Sequence, residues 1–529
     1  MALDFTSVVE MELDGPGGGW TDVSADVLGD LGAGYGIDGS GPNDRTAGTG
    51  QGTVTLNNSA RNSAGLAGYY SPGHANCRAG FDAGIKLRWR VPETDDGGFS
   101  SSGFEPTAFA VGTSARTFFI GKIDSIEPSP GSYRDRHTAV RVVDWIDTAA
   151  SLTTNVALQL SKRTDQIAQA ILDGMAEQPE STVFATCNST FAYALDNVRD
   201  EKTRVLAALA SLMHSEGGFG YVRGSGALVV EARLGRAAAE SQFTLDDDMH
   251  GLSVEYSRGV LYNKVQVTTH PRRIDAAATT VLWSLNVENV SSAVQPGETV
   301  TFMGPYGDPL NNNDRCGGTD MVTPVATTDY TMNSQADGLG TDLTASFSVT
   351  PSGVVTTGIG ANGVSWSVTN NAAVVGYITK LQIRGKGIYD TTPVVSTAED
   401  AASIAAYGER LVQVDMPYQD DPAIGAGFAA FLLNLYKTPT ARPTSVSFTC
   451  SDATLLNLAL AWDIGTRFTL RETQTGVDTD AFIQRVSLRD QGGYLRVEWG
   501  LAPADMTSYW LLGTANASEL GLTTRLGFA

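Results

Sequence analysis

Ile85-Lys86-Leu87-Arg88-Trp89-Arg90-Val91 places an apolar residue at every second position and a cation at each position between. Side chains of an extended strand point alternately to opposite faces, so this period of two describes a strand with one face in a core and one in water. Three neighbouring stretches carry β-branched or alternating apolar positions as well: Thr53-Val54-Thr55-Leu56, Phe118-Phe119-Ile120-Gly121-Lys122-Ile123 and Ala139-Val140-Arg141-Val142-Val143. Gly, Asn, Asp and Ser punctuate them, as turns require. The first 145 residues therefore predict a β-barrel or sandwich.

The period then changes. Ile167, Ile171, Leu172 and Met175 share one face of a predicted helix over Thr164 to Glu177, and Val205, Leu206, Leu209, Leu212 and Met213 share one over Lys202 to Ser215. Gly217 and Gly218 supply the stop. A hairpin is expected next, Phe219 to Val222 and Leu228 to Ala232 around Gly224-Ser225-Gly226. Residues 275 to 388 turn to Thr, Val, Ser, Gly and Asn without helical period, and are expected to form an inserted all-β domain. Capping-box spacing between Ser396 and Glu399 predicts a helix start there. Pro422 after Asp420 and Asp421 predicts another, with Ile424, Phe428, Phe431, Leu432 and Leu435 facing one core. Strand patterns return at Val446 to Thr449, Arg467 to Leu470, Phe482 to Val486 and Tyr494 to Trp499, the last two joined around Gln491-Gly492-Gly493.

The expected fold class is α+β, predominantly β, with two barrel-like tube domains linked by helical segments and an inserted all-β domain. Its expected divisions are a barrel over 1–145, a helical connector with hairpin over 146–258, and a second barrel with helices from 259–275 and 385–502. A sandwich-like insertion over 276–384 and a C-terminal arm over 503–529 complete it. A chain of 529 residues is long enough for about three to five domains.

Composition narrows the function. A formal charge of -22, from 36 basic and 58 acidic residues, opposes extensive phosphate contact, so duplex binding is not expected. Cys77, Cys187, Cys316 and Cys450 lie too far apart in sequence for a dense disulfide framework or paired metal ligands, and read as reduced thiols. The longest apolar candidate, Phe428 to Tyr436, is far short of the roughly 20 residues of a membrane span. Met1 to Phe5 has no basic start before an apolar stretch, so folding in the cytosol is expected.

Motifs for chemistry fail on context. G-x-G-x-x-G occurs at Gly34, Gly36, Gly39 and at Gly358, Gly360, Gly363, but neither match leads from a strand into a helix whose N-terminus could hold a diphosphate. Both are read as turn glycines. His74, His137, His214, His250 and His270 are scattered. Asp246-Asp247-Asp248 with His250, and Asn311 to Asp314 after Asp308, are the densest groups; the second lacks the glycine and terminal glutamate of a calcium loop. Both are read as solvated turns. No nucleophile elbow is present, and no pair stands out among the carboxylates for sugar hydrolysis. Trp20, Trp89 and Trp145 are read as core rather than sugar platforms. No residue is assigned as catalytic, cofactor-binding or metal-binding, and no cofactor is expected.

The order of segments resembles a family. Gly50 to Arg61 (GQGTVTLNNSAR), Phe119 to Pro128 (FIGKIDSIEP), Glu216-Gly217-Gly218-Phe219-Gly220-Tyr221 followed by Gly226-Ala227-Leu228, Tyr262 to Val267, Tyr407 to Arg410, Trp462-Asp463-Ile464-Gly465-Thr466-Arg467-Phe468, and Leu511 to Gly513 with Leu520 to Gly527 run in the same order as in the tail-hub proteins of long-tailed phages. That group is related in fold to the central baseplate hub of T-even phages. The resemblance implies a homotrimer in which two related barrels per chain present a pseudo-sixfold ring to a hexameric tail-tube or distal tail protein. It also implies tape-measure and tail-tip or receptor-binding partners, DNA only in transit during genome ejection, no stable membrane insertion, and a place at the virion tail tip after assembly in the host cytoplasm. A host-surface, glycan-binding tail adhesin and a tail-associated cell-wall hydrolase are the competing expectations.

Overall fold

The computed structural model describes residues 7–29, 31–91, 116–131, 136–154, 156, 159–195, 203–236, 240–286, 293–311, 314–351, 363–491 and 494–504. The 505–529 part of the expected arm, both halves of the Leu511 to Gly527 resemblance, Met1 to Phe5, Gly358, Gly360 and the Gly492-Gly493 turn lie outside them.

The alternation of Ile85 to Val91 is realised as the strand Lys86–Val91, with Leu87, Trp89 and Val91 buried and the cations between them half-buried. It pairs antiparallel with Arg116–Ser129 on one side and Val8–Met11 on the other. Register sets Glu10 against Arg88, and Arg88 and Arg90 each donate Nε to Glu10 Oε2 at 2.6 Å. Arg90 chiefly, with Arg88, holds that carboxyl below its ordinary range against the opposing effect of burial.

Followed outward, these strands belong to one sheet of 13 strands. Its path runs Gly251–Glu255, Arg442–Thr449, Leu495–Pro503, Val477–Asp490, Leu31–Gly36, Gly48–Asn57, His137–Val143, Arg116–Ser129, Lys86–Val91, Val8–Met11 and Thr21–Asp22. Arg467–Glu472 branches from Val477–Asp490 and carries Thr244–Asp246 as a parallel partner. No sheet closes into a barrel among the described residues, which corrects the expectation of two barrel-like tube domains. Closure of the N-terminal half would need Leu31–Gly36 to keep one edge for its own far strand. That edge is taken by Val477–Asp490, with Leu31 opposite Asp490 and Gly36 opposite Arg485. Val477–Asp490 in turn has Leu495–Pro503 along its other side, so the C-terminal half has no free edge there on which to close. One hydrophobic core spans the seam, from Val9, Leu56 and Phe118 to Phe448, Ile483 and Trp499.

The remaining elements form separate cores. Helices Trp145–Ser151, Thr164–Asp173 and Val205–Glu216 bury Ile146, Ile167, Ile171, Leu209 and Leu212 with the hairpin Phe219–Val222 and Ala227–Glu231. Helix Pro422–Tyr436 starts as its proline predicts, with Asp421 accepting from Ala423 N at 2.8 Å, and buries Phe428 and Leu432 on Val265, Val267, Val412 and Val414. Those valines belong to a three-stranded sheet of Val394–Glu399, Lys264–Thr269 and Leu411–Met416. The helix expected from Ser396 is therefore a strand, and the helix starts at Ala401 with Asp400 as its cap. Full-length pairing with Lys264–Thr269 outweighs a local capping signal. Lys264–Thr269 also shares no sheet with the strands from residue 442 onward. In the segment between, the long strand Gly376–Asp390 pairs in turn with five others, and Trp366, Leu381 and Ile383 sit in a core of their own.

Gly36 carries the seam. Its φ is +122°, and a Cβ there would stand 2.6 Å from Gln484 O and 2.8 Å from Arg485 Cα. Two residues earlier, a Cβ on Gly34 would meet only Val486 O at 3.9 Å. Gly36→Val is expected to destabilise the chain by roughly 3 kcal/mol or more and Gly34→Ala by less than about 1 kcal/mol, read as shifts in the urea midpoint. Equal shifts would show that the seam does not depend on Gly36.

Candidate functional site

Two places gather the residues singled out in the sequence. The first is a trough of about 510 Å³ over the seam. Gly32, Gly34 and Gly36 form its floor, and Thr49, Gln51, Thr53, Arg485, Ser487 and Arg489 its sides. Gly34 and Gly36 are strand residues rather than the turn glycines of the sequence reading, and only Gly39 lies beyond the strand. Arg485 Nη1 lies 3.1 Å from Asp38 Oδ1. The peptide groups of the floor are taken up by the strands on either side, so the groups left for hydrogen bonding are the hydroxyl, amide and guanidinium side chains of its sides.

The second place is a buried junction of loop, hairpin and sheet. Glu216, fully buried at the end of its helix, accepts from Thr164 Oγ1 at 2.9 Å, Asn188 N at 3.1 Å and Ser189 N at 3.1 Å. Gly217 ends that helix at φ +74°, with its N–H on Met213 O at 2.9 Å. A Cβ on Gly218 would lie 2.0 Å from Glu231 O. The E-G-G passage is thus a tie, a left-handed cap and a close crossing of two backbones.

Tyr221 donates its hydroxyl to Glu231 Oε1 at 2.6 Å and lies 3.0 Å from Ile464 O. Burial, chiefly, with Glu231 next to it, pushes that phenol well above its ordinary range. Arg236 donates Nε to Glu231 Oε2 at 2.7 Å and Nη1 to Gln484 Oε1 at 2.6 Å. Gly465 follows at φ +88°, where a Cβ would stand 2.2 Å from Glu231 Oε1. Its neighbour Asp463 faces Arg116 at 3.4 Å, tying the turn to the N-terminal half of the sheet. Two motifs of the resemblance, Glu216 to Tyr221 and Asp463-Ile464-Gly465, therefore meet at Tyr221 and Glu231. Arg45, Arg236 and Gln484 complete the junction and carried no signal in the sequence, because their partners are set by folding alone.

The other candidate groups are engaged locally. Asp247 accepts from Thr473 N at 3.1 Å and Thr473 Oγ1 at 2.8 Å, while Asp246 faces Arg471 at 3.9 Å. Asn311 Nδ2 donates to Asp314 Oδ2 at 2.8 Å and Asp308 Oδ1 accepts from Leu310 N at 2.9 Å; Asn312 and Asn313 lie outside the described residues. Among the described residues no group of three or more His, Cys, Asp or Glu is placed to hold a metal ion, and no helix is long and apolar enough to cross a membrane. Cys187, Cys316 and Cys450 are buried free thiols, pushed up to about 12 by burial first of all. Trp89 and Trp145 are buried, and Arg88 lies over the Trp20 ring at 4.2 Å.

No protein-family model matches the chain. No curated protein matches it by sequence. Among solved structures it is similar to the 43 kDa tail protein of prophage MuSo2 from Shewanella oneidensis, with a TM-score of 0.47 and 9% identity over 95% of this chain and 97% of that chain. It is similar also to a tail protein from Neisseria meningitidis MC58, with 0.46 and 10% over 94% and 96%, and to prophage tail protein gp18 from Listeria monocytogenes EGD-e, with 0.41 and 7% over 94% of each.

Glu216→Ala would leave two buried donors, Thr164 Oγ1 and Ser189 N, without an acceptor, at roughly 1–3 kcal/mol each. A loss of about 3 kcal/mol in urea unfolding is expected, with a smaller loss for Glu216→Gln, which keeps one acceptor oxygen. An alanine variant as stable as the parent would remove Glu216 from this role.

Proposed function

We propose that the chain is a structural hub at the distal end of a phage or phage-derived tail tube. In this role it forms a ring that closes the tube, joins it to tail-tip and host-recognition proteins, and lets the genome pass. The observation that carries this reading is the single sheet built from both ends of the chain, with edge strands at Gly251–Glu255, Thr21–Asp22 and, on its branch, Thr244–Asp246 among the described residues. Edge strands of such a sheet can be covered by further copies in a closed ring. The convergence of two resemblance motifs on one buried junction supports it as well, since their order then reflects a shared frame rather than a series of turns. A net charge of -22 suits a passage that DNA crosses without retention. Three copies per ring, contacts with a hexameric tail-tube or distal tail protein and with the tape measure, and the absence of enzymatic activity are parts of the same proposal.

Native mass spectrometry of the purified chain is expected to give a trimer, and imaging of the particle to place it at the tail tip. A stable monomer or hexamer would overturn the ring.

The 276–384 segment is proposed as an outward-facing insertion. The chain enters it through Arg272–Ile274 and leaves through Ile388–Asp390, two stems paired antiparallel, with Asp275 N on Gly387 O at 3.0 Å. Because the stems adjoin, a short Gly-Ser turn can replace the segment. The deletion variant is expected to stay soluble and to keep the oligomeric state of the parent. Aggregation or loss of that state would make the segment part of the core.

A further inference from the structure

The outer face of the seam sets two like charges against each other. Register across the sheet places Thr53, Gly32, Arg489 and Arg496 side by side on four successive strands, with Gln51, Gly34, Ser487 and Glu498 as the next row. Arg489 and Arg496 are thus direct cross-strand partners, and both are exposed. Like charges directly opposite one another destabilise a sheet. Among the described residues neither guanidinium has a carboxylate partner: Glu498, one row along, forms no ion pair with them, and Asp38 is taken by Arg485 at 3.1 Å.

Arg489 also lines the trough over the seam, so the unmatched pair stands at its Gly32 end. The trough has Leu31–Gly36 as its floor and the strands on either side as its walls, which makes it two strand spacings, or roughly 10 Å, across. From Gly32 to Gly36 it runs for roughly 13 Å, the length of about four extended residues. Its width and length are those of one extended peptide. Gly34 is not demanded by the packing of the chain itself, since a Cβ there would meet only Val486 O at 3.9 Å. A bare residue inside a strand lets a second backbone come close.

The side chains of the walls contain no aromatic ring, so the trough lacks the stacking surfaces on which single-stranded nucleic acid is held. The net charge of -22 opposes nucleic acid as well. A carboxylate, by contrast, accepts paired N–H groups from guanidinium and would remove the conflict between Arg489 and Arg496. We propose that the trough docks an extended acidic segment of a partner protein. One carboxylate of the segment sits between Arg489 and Arg496, and Gln51, Thr53 and Ser487 hydrogen-bond its peptide groups. The site stands on these residues and does not depend on the hub reading.

The test is fluorescence anisotropy with the full chain in about 50 mM sodium chloride. Three probes carry the same neutral dye: a peptide of about six residues alternating Ser and Glu, its Ser and Gln counterpart, and an oligothymidylate of equal charge. The Glu peptide is expected to bind at least about tenfold more tightly than either of the others. Arg489→Gln combined with Arg496→Gln is expected to abolish that preference while leaving the urea midpoint unchanged or raised, because a repulsion is removed. Gly34→Leu, which keeps both arginines and fills the floor, is expected to weaken the Glu peptide by about tenfold. Should it fail to fold, Ser487→Tyr, which fills the trough from one wall, is read in its place with the same expectation. No binding of the Glu peptide, equal binding of the Gln peptide, or a variant that keeps the full affinity would overturn the proposal. Oligothymidylate binding as tight as that of the Glu peptide would overturn it too, and make the face a nucleic-acid surface.

Discussion

The antiparallel pairing of Leu31–Gly36 with Arg485–Asp490 is the contact on which the rest of the architecture depends. Residues more than 400 positions apart in the chain become neighbours there, and the two strand-rich ends share one core instead of enclosing two. Glycine makes this possible for steric reasons. With no Cβ at Gly36, the strand turns away at a positive φ while its backbone lies against Gln484 and Arg485. A side chain at that point would push the strand away from Gln484 and Arg485 of Val477–Asp490.

The junction ties the end of helix Val205–Glu216 and the hairpin after it to the sheet through Arg45, Tyr221 and Arg236. Its charged groups are buried in pairs and nets: Glu216 with four local donors, counting Arg233 N at 3.4 Å, and Glu231 between Tyr221 and Arg236. Buried nets of this kind add less to stability than apolar packing of the same volume, yet they restrict the arrangements in which every group is satisfied.

Strands with alternating pattern and helices with a 3.6-residue stripe were legible because each buries one face whatever it packs against. Lys86–Val91, Arg116–Ser129, His137–Val143 and Pro422–Tyr436 fall where those periods place them. Leu31-Gly32-Ala33-Gly34-Tyr35-Gly36 was not legible as a strand, since its alternate positions are glycines and glycine is a turn residue by local preference. Its burial of Leu31, Ala33 and Tyr35 shows the alternation only once the floor of the trough is seen to be bare backbone. Ser396 and Glu399 failed in the opposite sense, offering a sound local signal that six consecutive pairings with Lys264–Thr269 outweigh.

By itself, the sequence determined a strand-rich α+β chain with two amphipathic helices before a hairpin, a proline-started helix near residue 422, and a segment order resembling phage tail hubs. It also determined the acidic balance and the lack of recognisable catalytic motifs. Tertiary structure alone decided that the strands form an open sheet rather than barrels, because closure depends on which edge a strand leaves free, and that is settled by partners hundreds of residues away. The junction was decided in the same way: Arg45, Glu231, Arg236, Gly465 and Gln484 acquire their roles only when separate stretches of backbone come within hydrogen-bonding distance.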